Sequence, residues 1–184
     1  MSRILILVLF SLAAPLLMAQ GSNTITMPMG VKSNSSYSYD VYPFPSGIMV
    51  YTLDKERLEL KPEGLSLVTV FGLCCGVEPE VWNRVIGMEQ QYKDLGMNTY
   101  MINFENGGEL AMQLRDVKKF VQTNTRPENL LIDSMGYTID FLTVPGFPTY
   151  FLVDKEGNVV FRTNGKDEEG MQILESEIQT RIEQ

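Results

Sequence analysis

The stretch Leu67 to Glu80, L-V-T-V-F-G-L-C-C-G-V-E-P-E, constrains this chain more than any other. Leu67, Val68, Thr69, Val70 and Phe71 make a β-branched and aromatic run, the pattern of a buried strand. The run breaks at Gly72 into a short turn that carries both cysteines of the chain, Cys74 and Cys75. Beyond the turn, Val81, Trp82, Val85, Met88, Tyr92 and Leu95 recur at helical spacing, so Cys75 falls between the end of a strand and the start of a helix. Free backbone N–H groups and the helix dipole favour an anion at such a place, and only a thiolate attacks a disulfide or a peroxide. Chemistry, where this chain has any, is expected at this turn.

The first residues are set aside before any fold argument. Arg3 is a short positive n-region, Ile4 to Met18 is apolar, and Ala19 offers a small residue for cleavage, so residues 1–19 read as a signal peptide. A spanning helix needs about 20 apolar residues, and this stretch is shorter and holds Pro15, which makes a permanent anchor the weaker reading. No stable membrane insertion is expected once the signal is removed. The protein is then periplasmic or extracellular.

The remaining chain of about 165 residues is enough for one domain with a real core. Without Arg3 the net charge goes from −8 to −9, and no basic cluster survives, so nucleic acid and anionic membrane surfaces are poor partners. The chain has no histidine, which removes the commonest general base and metal ligand. A hydrolase built on Ser-His-Asp or Cys-His is thereby excluded. No metal site or cofactor is called for by any motif, and nothing sets an oligomeric state. Two cysteines in an exported chain ordinarily form one structural disulfide. These two are adjacent, and a trans peptide holds neighbouring Cα atoms about 3.8 Å apart, below the ~4.4 Å lower limit of ordinary disulfides.

Residues 20–45, rich in Ser, Asn, Gly, Tyr and Pro without a sustained period, read as a flexible leader, and 46–184 as the folded domain. Ile48 to Leu53 and Arg57 to Leu60 predict a hairpin that precedes the main sheet. Asn98 to Phe104 predicts a second strand, and Leu110, Leu114, Val117 and Val121 mark a second helix with Lys118 and Lys119 at its end. The β-α-β order implies parallel strands with a right-handed crossover. Leu130 to Asp133 is a short apolar piece, and Tyr137 to Leu142 suits a helical turn. Thr149 to Val153 and Val159 to Arg162 flank a turn-rich join and predict an antiparallel hairpin. Met171, Leu174, Ile178 and Ile182 line one face of a last helix opened by Asp167, Glu168 and Glu169. Trp82, Tyr92, Met88, Met97, Met101 and Met112 are expected in the core, and Asp133 and Asp154 as turn-stabilising residues at strand ends.

The order of these elements and two local motifs resemble the thioredoxin-like superfamily, in particular its exported TlpA/ResA-type thiol-disulfide oxidoreductase and redoxin branch. Val144-Pro145-Gly146-Phe147-Pro148-Thr149, followed by F-L-V-D-K-E-G-N, is similar to the family's cis-proline loop and the hairpin after it. The resemblance implies an α/β thioredoxin-like fold, a central mixed β-sheet flanked by helices with an N-terminal β-hairpin extension. It also implies a cis Phe147–Pro148 bond facing the redox turn, with Phe147, Pro148 and Thr149 as a substrate-binding wall. V-F-G-L-C-C-G-V-E aligns with the family's strand and W-C-x-x-C turn. Cys74 stands in the tryptophan position, Cys75 in that of the attacking cysteine, and Glu78 in that of the resolving cysteine, where a glutamate cannot close a disulfide.

Three readings of the turn stay open. Cys75 acts as a single attacking thiol on a protein or small disulfide held by the Pro148 loop, with Glu78 nearby disfavouring a second negative charge. Alternatively Cys74 and Cys75 form a vicinal redox or Cu(I)-binding pair, the latter weakened by the lack of histidine and of a third ligand. In the third reading the redox site has decayed and the fold persists as a binding module.

Overall fold

The computed structural model describes residues 37–183, apart from Cys75, Gly76, Glu78 and Gly107. The signal-peptide reading and the first part of the leader fall outside the described residues. In chain order the elements are β1 (Tyr42–Pro43), β2 (Met49–Thr52), β3 (Arg57–Glu59), β4 (Ser66–Phe71), α1 (Pro79–Tyr92), β5 (Asn98–Asn103), α2 (Leu110–Phe120), β6 (Asn129–Ile132), α3 (Tyr137–Leu142), β7 (Thr149–Val153), β8 (Asn158–Asn164) and α4 (Glu168–Ile182). The strands form one sheet in the order β1-β8-β7-β4-β5-β6-β2-β3.

Every residue of β4 is buried, because it is a central strand with neighbours on both edges and side chains packed on both faces. It runs parallel to β5 and antiparallel to β7. On one face Leu67 and Phe71 meet the apolar stripes of α1, α2 and α4. On the other, Val68 and Val70 meet Phe151, Val153 and the α3 residue Leu142. Trp82 anchors the first face: its ring sits edge-on to Phe71 and Phe120, and its Nε1 donates to the Thr125 carbonyl at 2.9 Å. An aromatic side chain with its one donor satisfied is suited to full burial.

The two acids expected at strand ends do act on turns. Asp133, buried after β6, accepts the N–H groups of Met135, Gly136, Tyr137 and Thr138 and the Thr138 hydroxyl, which starts α3 in a segment too short to form alone. Asp154 accepts the N–H groups of Glu156 and Asn158 and closes the β7–β8 turn. Asp167 caps α4 through the Gly170 N–H.

Two expectations change. Residues from Tyr37 onward do not behave as a flexible leader: Ser38 bridges Arg162 and β1 pairs with β8. Tyr37 and Tyr39 lie against Phe161, and pairing the open edge of β8 while covering apolar surface is what holds this segment. Met112 is 48% exposed, because the buried stripe of α2 runs through Gln113, Leu114 and Val117 and leaves Met112 on its flank.

At the opposite end of α1 from the cysteine turn, Glu89 is buried and accepts the Glu128 N–H at 2.9 Å. Burial pushes its pKa above the ordinary glutamate range, and the nearby Glu128 carboxylate adds to this. Between the unfolded and the raised folded value the native state holds the extra proton, so stability from this site is present below the ordinary value and is lost as pH rises through the folded one. Glu89→Gln keeps an acceptor for Glu128 and removes the titration. Its urea midpoint relative to wild type is expected to be higher at pH 7 than at pH 4, and a difference independent of pH would refute this.

Candidate active site

The site forms where β4 ends. In the antiparallel pair of β4 and β7, Val70 faces Thr149. Continuing that register sets Pro148 across from Phe71 and Phe147 across from Gly72. A Cβ on Gly72 would lie 3.2 Å from Phe147 Cδ2 and 3.1 Å from the Phe104 carbonyl oxygen, so glycine is what allows the Phe147 ring to close on the start of the cysteine turn. The Phe147–Pro148 peptide is cis. Pro148 is buried, with its carbonyl accepting the Gly165 N–H at 2.9 Å, whereas the Phe147 N–H and C=O make no hydrogen bond among the described residues. Thr149 is buried, and its hydroxyl donates to the Gly146 carbonyl at 2.7 Å. Its side chain is thus engaged within the loop, and its backbone lies between Val70 of β4 and Asn164 of β8. Phe147 is half-buried, and Pro145 is the exposed side chain of this loop.

The turn itself is held from the other side. In the parallel pair of β4 and β5, Phe71 faces Asn103, and the same offset of 32 residues brings Leu73 to Glu105. The Glu105 carboxylate accepts the Leu73 N–H on Oε1 and the Cys74 N–H on Oε2, the latter at 3.0 Å. Asn103 Nδ2 donates to the same Oε1 at 3.0 Å. Cys74 is exposed. Cys75 and Glu78 lie outside the described residues; in sequence they fall between this tethered turn and α1, which starts at Pro79.

No protein-family model matches the chain, and no curated protein sequence is significantly similar to it. Solved structures are. A candidate thiol:disulfide interchange protein DsbE from Chlorobium tepidum superposes with a TM-score of 0.63 at 21% identity, covering 76% of this chain and 95% of its own. The thioredoxin domain of a thiol-disulfide oxidoreductase from Bacteroides vulgatus gives 0.59 at 19% identity, over 74% and 96%. The exposed lipoprotein thioredoxin Etrx1 of Streptococcus pneumoniae gives 0.56 at 18%, over 74% and 99%. The fold is thioredoxin-like.

Within this thioredoxin-like fold, the structure brings Cys74 and the Phe147–Pro148 loop to one end of the sheet and adds residues that sequence patterning does not single out. Glu105, Asn103 and Gln113 are the main ones. A single acid after a strand looks like any turn residue, and only the β4/β5 register reveals which backbone it meets. Phe104 is another: its ring centroid lies 6.2 Å from that of Phe147, and Gly136 lets it close on the loop before α3, a Cβ there falling 3.2 Å from Phe104 Cε2.

Behind the proline loop, a Cβ on Gly165 would fall 2.6 Å from Pro148 Cγ and 2.7 Å from Tyr150 Cε2. Overpacking of this kind costs roughly 1–3 kcal/mol. Gly165→Ala is expected to lose about that much stability and to shift the amide resonances of Phe147 and Thr149, whereas a variant with unchanged melting and spectra would show that the contact is not tight.

Proposed function

We propose that the chain carries out thiol-disulfide exchange on protein or small disulfides, with Cys75 as the attacking thiol and Cys74 as its resolving partner. The observation that carries this reading is the contact between the two lips: the glycine that opens the cysteine turn lies under Phe147, the residue before the cis proline. A substrate strand laid along the Phe147 backbone would find a donor and an acceptor not used elsewhere among the described residues, next to a turn with two thiols. The solved thioredoxin-like structures described as interchange proteins and oxidoreductases support the same reading.

In the first step the Cys75 thiolate attacks one sulfur of the substrate disulfide. A mixed disulfide forms and the other substrate sulfur leaves as a thiolate. In the second step the Cys74 thiolate attacks the Cys75 sulfur and releases the remaining substrate thiol. The substrate gains two electrons and the vicinal pair loses them. A ring closed between adjacent cysteines is strained, so an external thiol reduces it readily and returns the pair to its starting state. What supports this assignment of roles is that the Cys74 N–H is engaged by Glu105, while Cys75 is one residue nearer α1 in sequence, and a helix N-terminus favours an anion. The signal sequence read at residues 1–19 would put this reaction outside the cytoplasm, in the periplasm or the extracellular space.

A second reading, a thioredoxin-like binding module without turnover, is favoured by the Glu105 carboxylate set against the turn, since a nearby anion opposes thiolate formation. Reaction of the native protein with a chromogenic disulfide across pH separates the two. A thiol that reacts at about pH 6 to 7, below the ordinary cysteine range, is expected from the exchange reading. Cys75→Ser should abolish that reaction, and Cys74→Ser should retain the first step but stop at a stable mixed disulfide detectable by mass. Reaction only after unfolding, or a Cys75→Ser protein that reacts as wild type, overturns the exchange reading in favour of the module.

A further inference from the structure

We infer that Glu105 is a positioning residue for the cysteine turn: it holds the turn through the two consecutive backbone N–H groups of Leu73 and Cys74 and sets a negative charge beside them that opposes thiolate formation. The inference rests on the exchange reading and deepens it.

The tether uses both carboxylate oxygens, one for the Leu73 N–H and one for the Cys74 N–H. It is itself built in advance. Asn103 and Gln113 are completely or almost completely buried. Asn103 donates to the Glu105 side chain, and Gln113 donates to the Gly108 carbonyl at 2.7 Å and to the Glu105 carbonyl at 3.5 Å. Each of these two amides leaves its own carbonyl oxygen without a hydrogen-bond partner among the described residues. Burying an amide with part of its hydrogen bonding unmet is unfavourable, and what both amides do with their donors is fix Glu105 and the loop that carries it. A surface turn needs no such foundation. A turn whose sulfur must meet a substrate in one orientation does, because small errors of position lower the rate of attack steeply.

Among the described residues, the charged groups on the elements flanking the turn are mostly acidic, an exception being exposed Lys166 beside Gly165, which abuts Pro148. Glu80 lies in the first turn of α1 and Glu78 just before it in sequence. Arg84 of α1 is bound to Glu168 of α4 at 3.0 Å. Glu109 heads α2, and the Val144–Thr149 segment carries no charge. Glu105 therefore acts on the thiols as an anion next to a turn whose surroundings are acidic, and removing its charge must favour the thiolate.

Two substitutions separate reach from charge. Glu105→Gln keeps the length but removes the charge and one of the two acceptor oxygens, and Glu105→Asp keeps the charge and both oxygens but shortens the reach. Amide hydrogen exchange at Leu73 and Cys74, followed by NMR on the intact protein, reports the tether without any need for reactivity. The pH dependence of iodoacetamide alkylation of the turn thiols reports the charge. Glu105→Asp is expected to speed exchange of both amides at least about tenfold with little change in the alkylation midpoint. Glu105→Gln is expected to lower that midpoint by about one pH unit, so that alkylation well below it runs about tenfold faster. Unchanged amide exchange in Glu105→Asp, or an unmoved midpoint in Glu105→Gln, would overturn the assignment. Thiols that resist alkylation in all three native proteins would refute the exchange reading, and with it the charge role, while the amide exchange still decides whether the tether exists.

Discussion

The pairing of β4 with β5 on one side and β7 on the other is the constraint on which the site depends. Both registers are fixed by the burial of β4, since a slip of one residue would turn Leu67 and Phe71 out of one cluster and into the other. Once fixed, the two registers run on past the end of the strand. One carries Glu105 to the amides of Leu73 and Cys74, and the other carries Phe147 onto Gly72. The cysteine turn is thus clasped from two directions by segments that are about thirty and seventy residues away in sequence; the Glu105 clasp uses only backbone N–H groups of the turn, and the Phe147 clasp needs glycine at position 72.

The chemistry available at that turn is unusual because of what surrounds it. The chain has no histidine, so no imidazole can take up or deliver a proton, and the carboxylate of Glu105 lies against the turn, holding two of its backbone donors. A thiolate here gains from the start of α1 and loses from Glu105. The balance of those two fields distinguishes an exchange site from a silent binding surface. Phe147 and Phe104 add apolar surface on the β7 side.

Much of the architecture could be read from pattern. The strands around Val70, Ile102 and Phe151, the helical stripes of α1 and α4, and the hairpins at each end show their periods directly, because packing against a sheet imposes them. The turn roles of Asp133 and Asp154 were also legible, since a carboxylate at a strand end has its own backbone within reach. What misled was solvent exposure. Met112 has an apolar side chain at a plausible spacing but sits on the flank of its helix, and Tyr37 to Pro43 has the composition of a loose segment yet closes an open sheet edge. In both cases the deciding partner is remote, so no local window contains it.

The sequence by itself determined that this chain has a buried central strand ending in a Gly-Leu-Cys-Cys turn, that a helix follows, and that a Phe-Pro segment precedes a later hairpin. Those are statements about neighbours along the chain, where propensity and period act. Tertiary structure decided which backbone groups meet the turn: that the acid after β5 is its tether, that buried Asn103 and Gln113 hold that acid, and that Thr149 turns inward while Phe147 closes on Gly72. Strand register and long-range hydrogen bonding settle such matters, and they are properties of pairs of segments that a single stretch of sequence does not contain.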